Sequence, residues 1–303
     1  MAEIDGGHVP GLTDVIAGRL RQAGLEPAAV TAVVAGALAE DLAGGPDVTT
    51  TATVPPSELG VADLVPRADG VVAGLPVAAA VFALVSPELT TEPLAADGDR
   101  VAAGTSVLRV TGPAGPMLTA ERTALNLLCH LSGVATLTRR WADEVTGTGA
   151  AIRDTRKTLP GLRALEKYAV RCGGGVNHRM SLSDAALIKD NHVAAAGSVA
   201  AAFAAVRARA PGLQLEVECD TLAQVCEALD AGADLILLDN FTVAELTAAV
   251  ALAAGRAVLE ASGGLTLAAA RAVAQTGVDF LAVGALTHSA PALDIGLDLV
   301  QAL

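Results

Sequence analysis

The sequence predicts an α/β fold in which a small mixed domain is followed by a parallel, barrel-like sheet. Before residue 124, short β-rich segments are separated by turns rich in glycine, proline and aspartate, which is typical of a small α+β domain. After residue 145, short apolar runs recur about every twenty residues with alanine-rich helical segments between them, which is the alternation of βα units. A chain of 303 residues is long enough to bury two such cores.

The elements of the first domain follow from local patterns. Helical patterns occupy residues 13–22, 27–42 and 76–85. Strand-like segments occupy residues 51–54, 61–65, 71–72, 88–94 and 107–110. A further helix is predicted at residues 119–145, where Leu125, Leu128, Leu131 and Ala135 recur at helical spacing.

Six apolar runs predict the strands of the second domain. They lie near residues 150–152, 185–188, 213–217, 235–238, 257–259 and 280–283, and the helices predicted between the later runs cover residues 221–230, 243–254 and 267–275. We therefore place the first domain at residues 1–124 and a barrel domain at residues 125–289, with residues 290–303 able to pack back onto the first domain. Because the carboxyl ends of parallel strands meet at one rim, polar residues that follow these runs are expected to share one pocket.

The distribution of charge predicts a site for anions. The net charge of −13 argues against a nucleic-acid partner or an anionic membrane. Eight of the 20 basic residues nevertheless lie between residues 153 and 189, together with only three acids, and this stretch contains all three lysines of the chain. A concentrated anion site explains this pattern, although chance clustering is the simpler alternative.

Other features exclude several classes of protein. The four cysteines form no CxxC pair, so a zinc site is not expected, and they are interpreted as buried thiols of a cytoplasmic protein. The first residues carry acids where a signal peptide needs a basic segment and an apolar run. The longest uncharged run, residues 70–87, is interrupted by Gly74 and Pro76, and we interpret it as a core helix, not a membrane span.

A set of motifs in fixed order identifies a family. They are Thr119-Ala-Glu-Arg-Thr-Ala-Leu-Asn126, Asp154-Thr-Arg-Lys-Thr158, Asn177-His-Arg-Met180, Ile188-Lys-Asp-Asn-His192, Glu216-Val-Glu218, Leu238-Asp-Asn240, Glu260-Ala-Ser-Gly-Gly264 and Val283-Gly-Ala-Leu-Thr287. Together with Asp47-Val-Thr-Thr50, they resemble the nicotinate-nucleotide pyrophosphorylases, also called quinolinate phosphoribosyltransferases. Single motifs among them are weak, but their joint order and spacing are specific.

The resemblance implies a fold, a reaction and partners. The implied fold is an N-terminal α/β sandwich domain plus an open, incomplete, seven-stranded α/β barrel of the type II phosphoribosyltransferase kind. The implied reaction joins quinolinate to phosphoribosyl pyrophosphate and releases carbon dioxide and pyrophosphate, in the de novo synthesis of NAD. A Mg²⁺ requirement and a homodimer, or a multiple of dimers, with shared active sites are also implied.

The resemblance also assigns roles to residues around the two carboxylates of quinolinate. Arg156, His178 and Arg179 are expected to line the carboxylate pocket, with Arg122 reaching in from the neighbouring subunit. Paired guanidinium contacts hold a planar dianion in register better than lysine does, and His178 is interpreted as a cation or donor beside a carboxylate. Taken alone, Arg122 is more typical of a helix-surface salt bridge and His178 of a structural histidine.

The remaining assignments concern phosphoribosyl pyrophosphate. By resemblance, Lys157 and Lys189 contact pyrophosphate and the reacting carboxylate, and Thr155 adds a hydroxyl. Glu218 and Asp239 are expected to bind ribose hydroxyls and, through water, Mg²⁺; with the two lysines they form the predicted catalytic set. The 5-phosphate is expected to bind at two backbone segments. These segments are Ser262-Gly263-Gly264 and Gly284-Ala285-Leu286.

Two alternatives remain at this stage. The nearest is a related pyrophosphorylase-like protein associated with molybdenum uptake, whose substrate could differ, and the presence of Arg156, His178 and Arg179 favours quinolinate. The second is a non-catalytic sensor of phosphorylated metabolites built on the same barrel. Carbon dioxide release from the two substrates with Mg²⁺ distinguishes an enzyme from a sensor.

Overall fold

A computed structural model describes residues 12–302 of the chain. The acidic N-terminal segment that argued against a signal peptide lies mostly outside these residues. The chain divides into two compact units. The first unit comprises residues up to 137, residues 159–173 and residues from 289 onward, and the barrel unit comprises residues 138–158 and 174–288. The division falls within one long helix, α5 (Ala114–Val145).

In its described residues, the first unit contains four further helices before α5 and one after it. These are α1 (Asp14–Gln22), α2 (Pro27–Asp41), α3 (Val48–Thr53), α4 (Leu75–Val85) and α6 (Arg163–Cys172). Helix α4 is almost entirely buried, in agreement with its interpretation as a core helix. Its first turn is stabilised by Asp97, whose carboxylate accepts the N–H groups of Gly74 at 2.9 Å and Leu75 at 3.0 Å.

The strand predicted at residues 51–54 is wrong, because this segment belongs to helix α3. The carboxylate of Asp47 accepts the backbone N–H of Thr50 at 2.9 Å and its hydroxyl at 2.5 Å. An aspartate cap of this kind stabilises the first turn of a helix by about 1 kcal/mol, enough to offset the β preference of several threonines. The capping residue, and not the β preference of the threonines, therefore decides the conformation of this segment.

The first unit also contains a four-stranded antiparallel sheet and a two-stranded ribbon. The sheet order is β12 (Ile295–Ala302), β1 (Leu59–Pro66), β5 (Leu108–Pro113) and β3 (Thr90–Pro93). The ribbon pairs β2 (Gly70–Val71) with β4 (Arg100–Val101). The strand formed by the end of the chain thus pairs with β1 inside the first unit.

The barrel unit contains a six-stranded parallel sheet. Its order is β6 (Ala151–Arg153), β11 (Phe280–Ala282), β10 (Val258–Ser262), β9 (Leu235–Asp239), β8 (Leu215–Cys219) and β7 (Ala186–Ile188). A single parallel bridge between Arg153 and Val176 lies on the other side of β6, in the position of a seventh strand. All six strands predicted from the apolar runs are confirmed, and the sheet is that of an open, incomplete barrel.

Helices follow the strands of this sheet. They are α7 (Asp190–Ala196), α8 (Val199–Arg209), α9 (Leu222–Asp230), α10 (Val243–Ala253), α11 (Leu267–Ala274) and α12 (Ala285–His288). Helices α9 and α10 begin with capping boxes in which Thr221 pairs with Gln224 and Thr242 with Glu245. The central strands are buried on both faces, as their apolar sequences require.

The structure also tests the predictions about the cysteines and about membrane-spanning helices. All four cysteines are free, but only Cys219 is buried, and Cys226 is exposed on α9. The prediction that all four are buried thiols is therefore confirmed only for Cys219. Cys129 and Cys172 are half-buried, and the prediction is wrong for Cys226, which lies on the outward face of an amphipathic helix. Within residues 12–302 no single helix is both long and apolar enough to span a membrane; α1 and α2 meet the criterion only as a pair bent by 110°.

Candidate active site

A cavity of about 400 Å³ lies at the carboxyl ends of the barrel strands. Its lining residues all belong to the barrel unit and come from most of its strands. They are Thr155, Arg156, Lys157, His178, Arg179, Leu187, Lys189, Glu218, Leu237, Asp239, Glu260, Ser262 and Ala282. Residues that are more than 100 positions apart in the sequence therefore share one site, as expected when parallel strand ends meet at one rim.

Lys157 is held by its backbone and leaves its ammonium group exposed. The backbone N–H of Lys157 donates to Oγ1 of Thr155 at 3.0 Å, and its carbonyl oxygen accepts the hydroxyl of Thr287 at 2.7 Å. A β-carbon on Gly284 would lie 2.9 Å from Cδ of Lys157, so the lysine stem passes directly over this glycine. Lys157 makes no ion pair with any residue that the structure describes, which leaves its charge for a ligand.

The two arginines of the cavity are placed to bind a dianion. One guanidinium nitrogen of Arg179 donates to the carbonyl oxygen of Ala185 at 2.9 Å. Burial, and next the positive charge of Arg156, lower the pKa of Arg179. Nε of Arg156 is buried and has no hydrogen-bond partner within residues 12–302. Two neighbouring guanidinium groups with unused donors favour an anionic ligand, because the ligand supplies the missing counter-charge and acceptors.

The two predicted acids each retain an oxygen for a ligand. One oxygen of Glu218 accepts the ammonium group of Lys189 in a close contact, and one oxygen of Asp239 accepts Nδ2 of Asn240 at 2.7 Å. The other oxygen of each carboxylate takes part in no hydrogen bond of the described residues. Mg²⁺ prefers a few carboxylate oxygens completed by water and phosphate, so this pair has the right chemistry for the ion.

Two buried acids beside His178, Glu216 and Glu260, were not predicted as part of the site, although Glu260 lines the cavity. Nε2 of His178 lies 2.7 Å from Oε2 of Glu216 and 3.8 Å from Oε1 of Glu260. Glu260 also pairs with Arg153 at 2.6 Å. Burial, and then the charge of Glu216, raise the pKa of Glu260, which Arg153 opposes. Both acids lie inside apolar strands, and a carboxylate in such a strand is itself a signal that it has a function or a partner.

The turn that carries His178 and Arg179 is fixed by Asp154. This carboxylate is fully buried at the end of β6 and accepts the backbone N–H of His178 at 2.8 Å and Nδ2 of Asn177 at 2.5 Å. The motif Asp154-Thr-Arg-Lys-Thr158 thus serves two functions. Its first residue orients the 177–179 turn, and its next three residues line the cavity.

Of the segments expected to bind the 5-phosphate, only Ser262 lines the cavity in the described structure. Gly263 has φ +85° and Gly264 has φ +59°, and a β-carbon on Gly263 would lie 2.2 Å from Oδ1 of Asn240. Only glycine fits at residue 263. In the second segment Gly284 lies against Lys157, Ala285 begins helix α12, and the side chain of Leu286 is buried.

Some residues of the basic stretch do not belong to this cavity. Arg163, Lys167 and Arg171 lie on α6 in the first unit, and Lys167 is fully buried. The idea that the whole stretch forms one anion site is therefore wrong, because a helix in the middle of the stretch belongs to the other unit. Arg122 also lies in the first unit, where its side chain is exposed on α5.

Two family models match most of the chain. The C-terminal domain of quinolinate phosphoribosyl transferase matches residues 134–298, and the N-terminal domain of the same family matches residues 47–132. Both family assignments therefore agree with the motifs in the sequence.

The matches to individual relatives cover most of this chain and most of each relative. A nicotinate-nucleotide pyrophosphorylase [carboxylating] from Mycobacterium leprae is 55% identical over 268 residues, which are 87% of this chain and 94% of that protein. A quinolinate phosphoribosyltransferase [decarboxylating] from Nicotiana glauca is 42% identical over 87% of this chain and 80% of its own length. The solved nicotinate-nucleotide pyrophosphorylase from Francisella tularensis has a TM-score of 0.85 at 36% identity, over 89% of this chain and 96% of that one.

Proposed function

The chain belongs to the quinolinate phosphoribosyltransferase family and transfers phosphoribosyl from phosphoribosyl pyrophosphate to quinolinate with decarboxylation, and we propose that the cavity of the barrel unit is where it does so. The products are nicotinate mononucleotide, carbon dioxide and pyrophosphate, as in de novo NAD biosynthesis. One observation supports this location above the others. Four cationic side chains and three acidic side chains line a single cavity at the strand ends.

Each substrate has a matching set of groups in this cavity. Arg156 and Arg179 bind the two carboxylates of quinolinate through paired hydrogen bonds, with His178 in the same wall. Lys157 and Lys189 bind the pyrophosphate as compact charges, and the hydroxyl of Thr155 adds a contact. The ribose hydroxyls donate to Glu218 and Asp239. The 5-phosphate binds at two backbone segments, Ser262-Gly263-Gly264 and Gly284-Ala285-Leu286.

The reaction depends on the placement of charged side chains around the substrates more than on a nucleophilic side chain. As the bond to pyrophosphate lengthens, Lys157 and Lys189 stabilise the negative charge that develops on the leaving group. Arg156 and Arg179 hold the ring nitrogen of quinolinate in line with the anomeric carbon, so that the reaction becomes effectively intramolecular. The alkylated ring then accepts the electron pair released when the adjacent carboxylate leaves as carbon dioxide, and a proton takes its place.

Mg²⁺ is the cofactor that this cavity suits. Glu218 and Asp239 would hold the ion, chiefly through water, because each offers a carboxylate oxygen beside the expected position of the pyrophosphate. The bound ion would supply positive charge that neutralises the pyrophosphate. Lys189, which pairs with Glu218, would then be released toward the substrate phosphates.

The reaction itself is tested with purified protein, Mg²⁺, phosphoribosyl pyrophosphate and quinolinate labelled in the carboxylate next to the ring nitrogen. We expect labelled carbon dioxide, pyrophosphate and nicotinate mononucleotide in equal amounts. The control is nicotinate in place of quinolinate, which has no carboxylate at that position and yields no carbon dioxide. A thermal shift with both substrates but no product would contradict the enzyme assignment and favour a sensor.

We also propose that the protein acts as a homodimer, or a multiple of dimers, with shared active sites. Arg122 supports this proposal because its exposed side chain makes no ion pair within the described part of the chain, although it belongs to a motif of the family. In a shared site, Arg122 of one subunit would add a third guanidinium to the quinolinate carboxylates bound by its neighbour.

Mixing two inactive variants tests the shared site. Arg122→Ala and Lys157→Ala proteins should each be inactive alone, and their mixture should regain about a quarter of wild-type activity per protomer, because random exchange leaves some dimers with one intact site. The readout is mononucleotide formation after subunit exchange. The control is a mixture of Arg122→Ala with wild-type protein. If activity recovers in that mixture but not in the mixture of Arg122→Ala with Lys157→Ala, the result would argue against a contribution from the neighbouring subunit.

A cytoplasmic location is the last element of the proposal. All four cysteines are free, which suits a reducing compartment. Among the relatives, one from Mycobacterium leprae is bacterial, and some from Nicotiana tabacum are named as mitochondrial.

A further inference from the structure

The hydroxyl of Thr287 connects two neighbouring strand ends of the barrel unit. Thr287 lies in α12, which follows β11, and Lys157 follows β6, which pairs with β11 in parallel. The hydroxyl donates to the carbonyl oxygen of Lys157 at 2.7 Å, across 130 positions of the sequence. Among the described residues this is the only hydrogen bond to that oxygen. The backbone of Lys157 is therefore attached to α12 through a single side chain.

The burial of Thr287 indicates that its hydroxyl is committed to this contact. The side chain is 1% exposed and is not among the residues that line the cavity. A buried hydroxyl must find its acceptor within the protein. The carbonyl oxygen of Gly284 also lies 3.2 Å away, but it already accepts the backbone N–H of Thr287 at 3.3 Å. The carbonyl oxygen of Lys157 is the closer acceptor, so the proton of the hydroxyl is directed to it.

The other contacts of the turn that carries Lys157 are local. The backbone N–H of Lys157 donates to Oγ1 of Thr155 at 3.0 Å, and the backbone N–H of Thr158 donates to the carbonyl oxygen of Arg156 at 3.0 Å. These bonds join residues two positions apart, so they define the shape of the turn. The hydrogen bond from Thr287 instead defines where the turn lies relative to the next strand end.

From these contacts we propose that Thr287 is a positioning residue that places the ammonium group of Lys157 for the pyrophosphate. The proposal rests on the proposed location of the active site. Thr287 acts through the backbone of Lys157 and touches no substrate itself. The stem of Lys157 is guided by Gly284, since a β-carbon there would lie 2.9 Å from Cδ of the lysine. A misplacement of about 1 Å can cost up to about 10²-fold in rate, so the position of this charge matters for catalysis.

Calorimetric titration with pyrophosphate and Mg²⁺ tests the proposal without turnover. Thr287→Val removes the hydroxyl at nearly constant shape and should weaken pyrophosphate binding about tenfold, because the backbone of Lys157 loses its attachment. Quinolinate, titrated separately, should bind within about twofold of its normal affinity, because Thr287 makes no contact with Arg156 or Arg179. Thr287→Ser keeps the hydroxyl and should restore pyrophosphate binding to within about threefold.

A double-mutant cycle separates the positioning of Lys157 from a general effect on the fold. Adding Thr287→Val to Lys157→Ala should weaken pyrophosphate binding by no more than about twofold, because the group that Thr287 positions is already absent. The matched control is Thr276→Val. It removes a hydroxyl that donates to the carbonyl oxygen of Val273 at 2.6 Å, outside the cavity of the same unit, and should change neither titration.

Steady-state kinetics provide a second readout. Thr287→Val should lower kcat about tenfold while the KM for quinolinate stays within about twofold. Equal weakening of both ligands, unchanged pyrophosphate binding, or a further loss of about tenfold in the Lys157→Ala background would overturn the proposal. So would an unaltered protein that binds no pyrophosphate.

These outcomes are separable from failure of the proposed function. If Thr287→Val does not fold, Thr287→Ala removes the same hydroxyl and replaces it in every measurement. Normal turnover with no effect of Thr287→Val would leave the proposed function intact and remove Thr287 from it. Absence of turnover in the unaltered protein, with the expected pattern of pyrophosphate binding, would contradict the proposed function and leave the role of Thr287 standing.

Discussion

Replacing Lys157 with alanine is expected to lower kcat/KM by about 10³-fold, equivalent to about 4 kcal/mol of transition-state stabilisation. The reason is the position of the ammonium group, which lines the cavity without a counter-ion among the described residues. Its charge is therefore directed to the substrate phosphates and becomes most valuable as pyrophosphate leaves. Because Lys157 is exposed, the free energy of unfolding should change by less than about 0.5 kcal/mol.

Two control variants distinguish the effect of the positive charge of Lys157 from the effect of its position in the cavity. Arg209→Ala removes an exposed basic residue from α8 of the same unit and should leave kcat/KM unchanged. Lys157→Arg keeps the charge but places a planar guanidinium over Gly284, where the lysine stem lies close to the backbone, and should remain at least tenfold impaired. Near-normal turnover of Lys157→Ala would remove this residue from the mechanism.

The fold was predictable where periodicity is strong and unpredictable where tertiary contacts decide. The six barrel strands are apolar runs buried on both faces, and their spacing identified them. Helix α8 was missed because alanine dominates its sequence and gives little amphipathic contrast. Strand β12 was missed because its partner is β1, more than 200 residues earlier, and no local pattern encodes that pairing.

The site was predictable because it is built from strand ends. Arg156, Lys189, Glu218 and Asp239 were placed together by the rule that parallel strands share a rim, and the cavity contains all four. The rule gave no information about α6, whose basic residues lie in the first unit. It also identified only residues that end a strand, which is why Glu216 and Glu260, inside β8 and β10, had no predicted role.

A different signal would have found those two acids. In Leu215-Glu-Val217 and Leu259-Glu-Ala261, a carboxylate interrupts an apolar run that must be buried on both faces. Burying an unpaired carboxylate is costly, so such a residue requires a cation or a proton nearby. In the structure, Arg153 pairs with Glu260, and the imidazole of His178 lies beside Glu216.

Replacing Arg156 with lysine is expected to raise the KM for quinolinate by about 10²-fold. Lysine keeps the positive charge, so the change removes only the planar fork of donors, including the buried Nε that has no partner within residues 12–302. Loss of two charge-assisted hydrogen bonds of about 1.5 kcal/mol each corresponds to about 3 kcal/mol, or roughly 10²-fold in affinity. The KM for phosphoribosyl pyrophosphate should stay within about twofold, which steady-state kinetics with each substrate varied in turn would establish.

Arg139 offers a matched control for this argument. Its Nε is also buried without a partner in the described structure, but its guanidinium group packs against Gly174, and Arg139 is not among the residues that line the cavity. Arg139→Lys should therefore leave the KM for quinolinate unchanged. If Arg156→Lys and Arg139→Lys had equal effects on that KM, an unpaired guanidinium nitrogen would carry no information about the substrate, and the proposed carboxylate pocket would lose its main support.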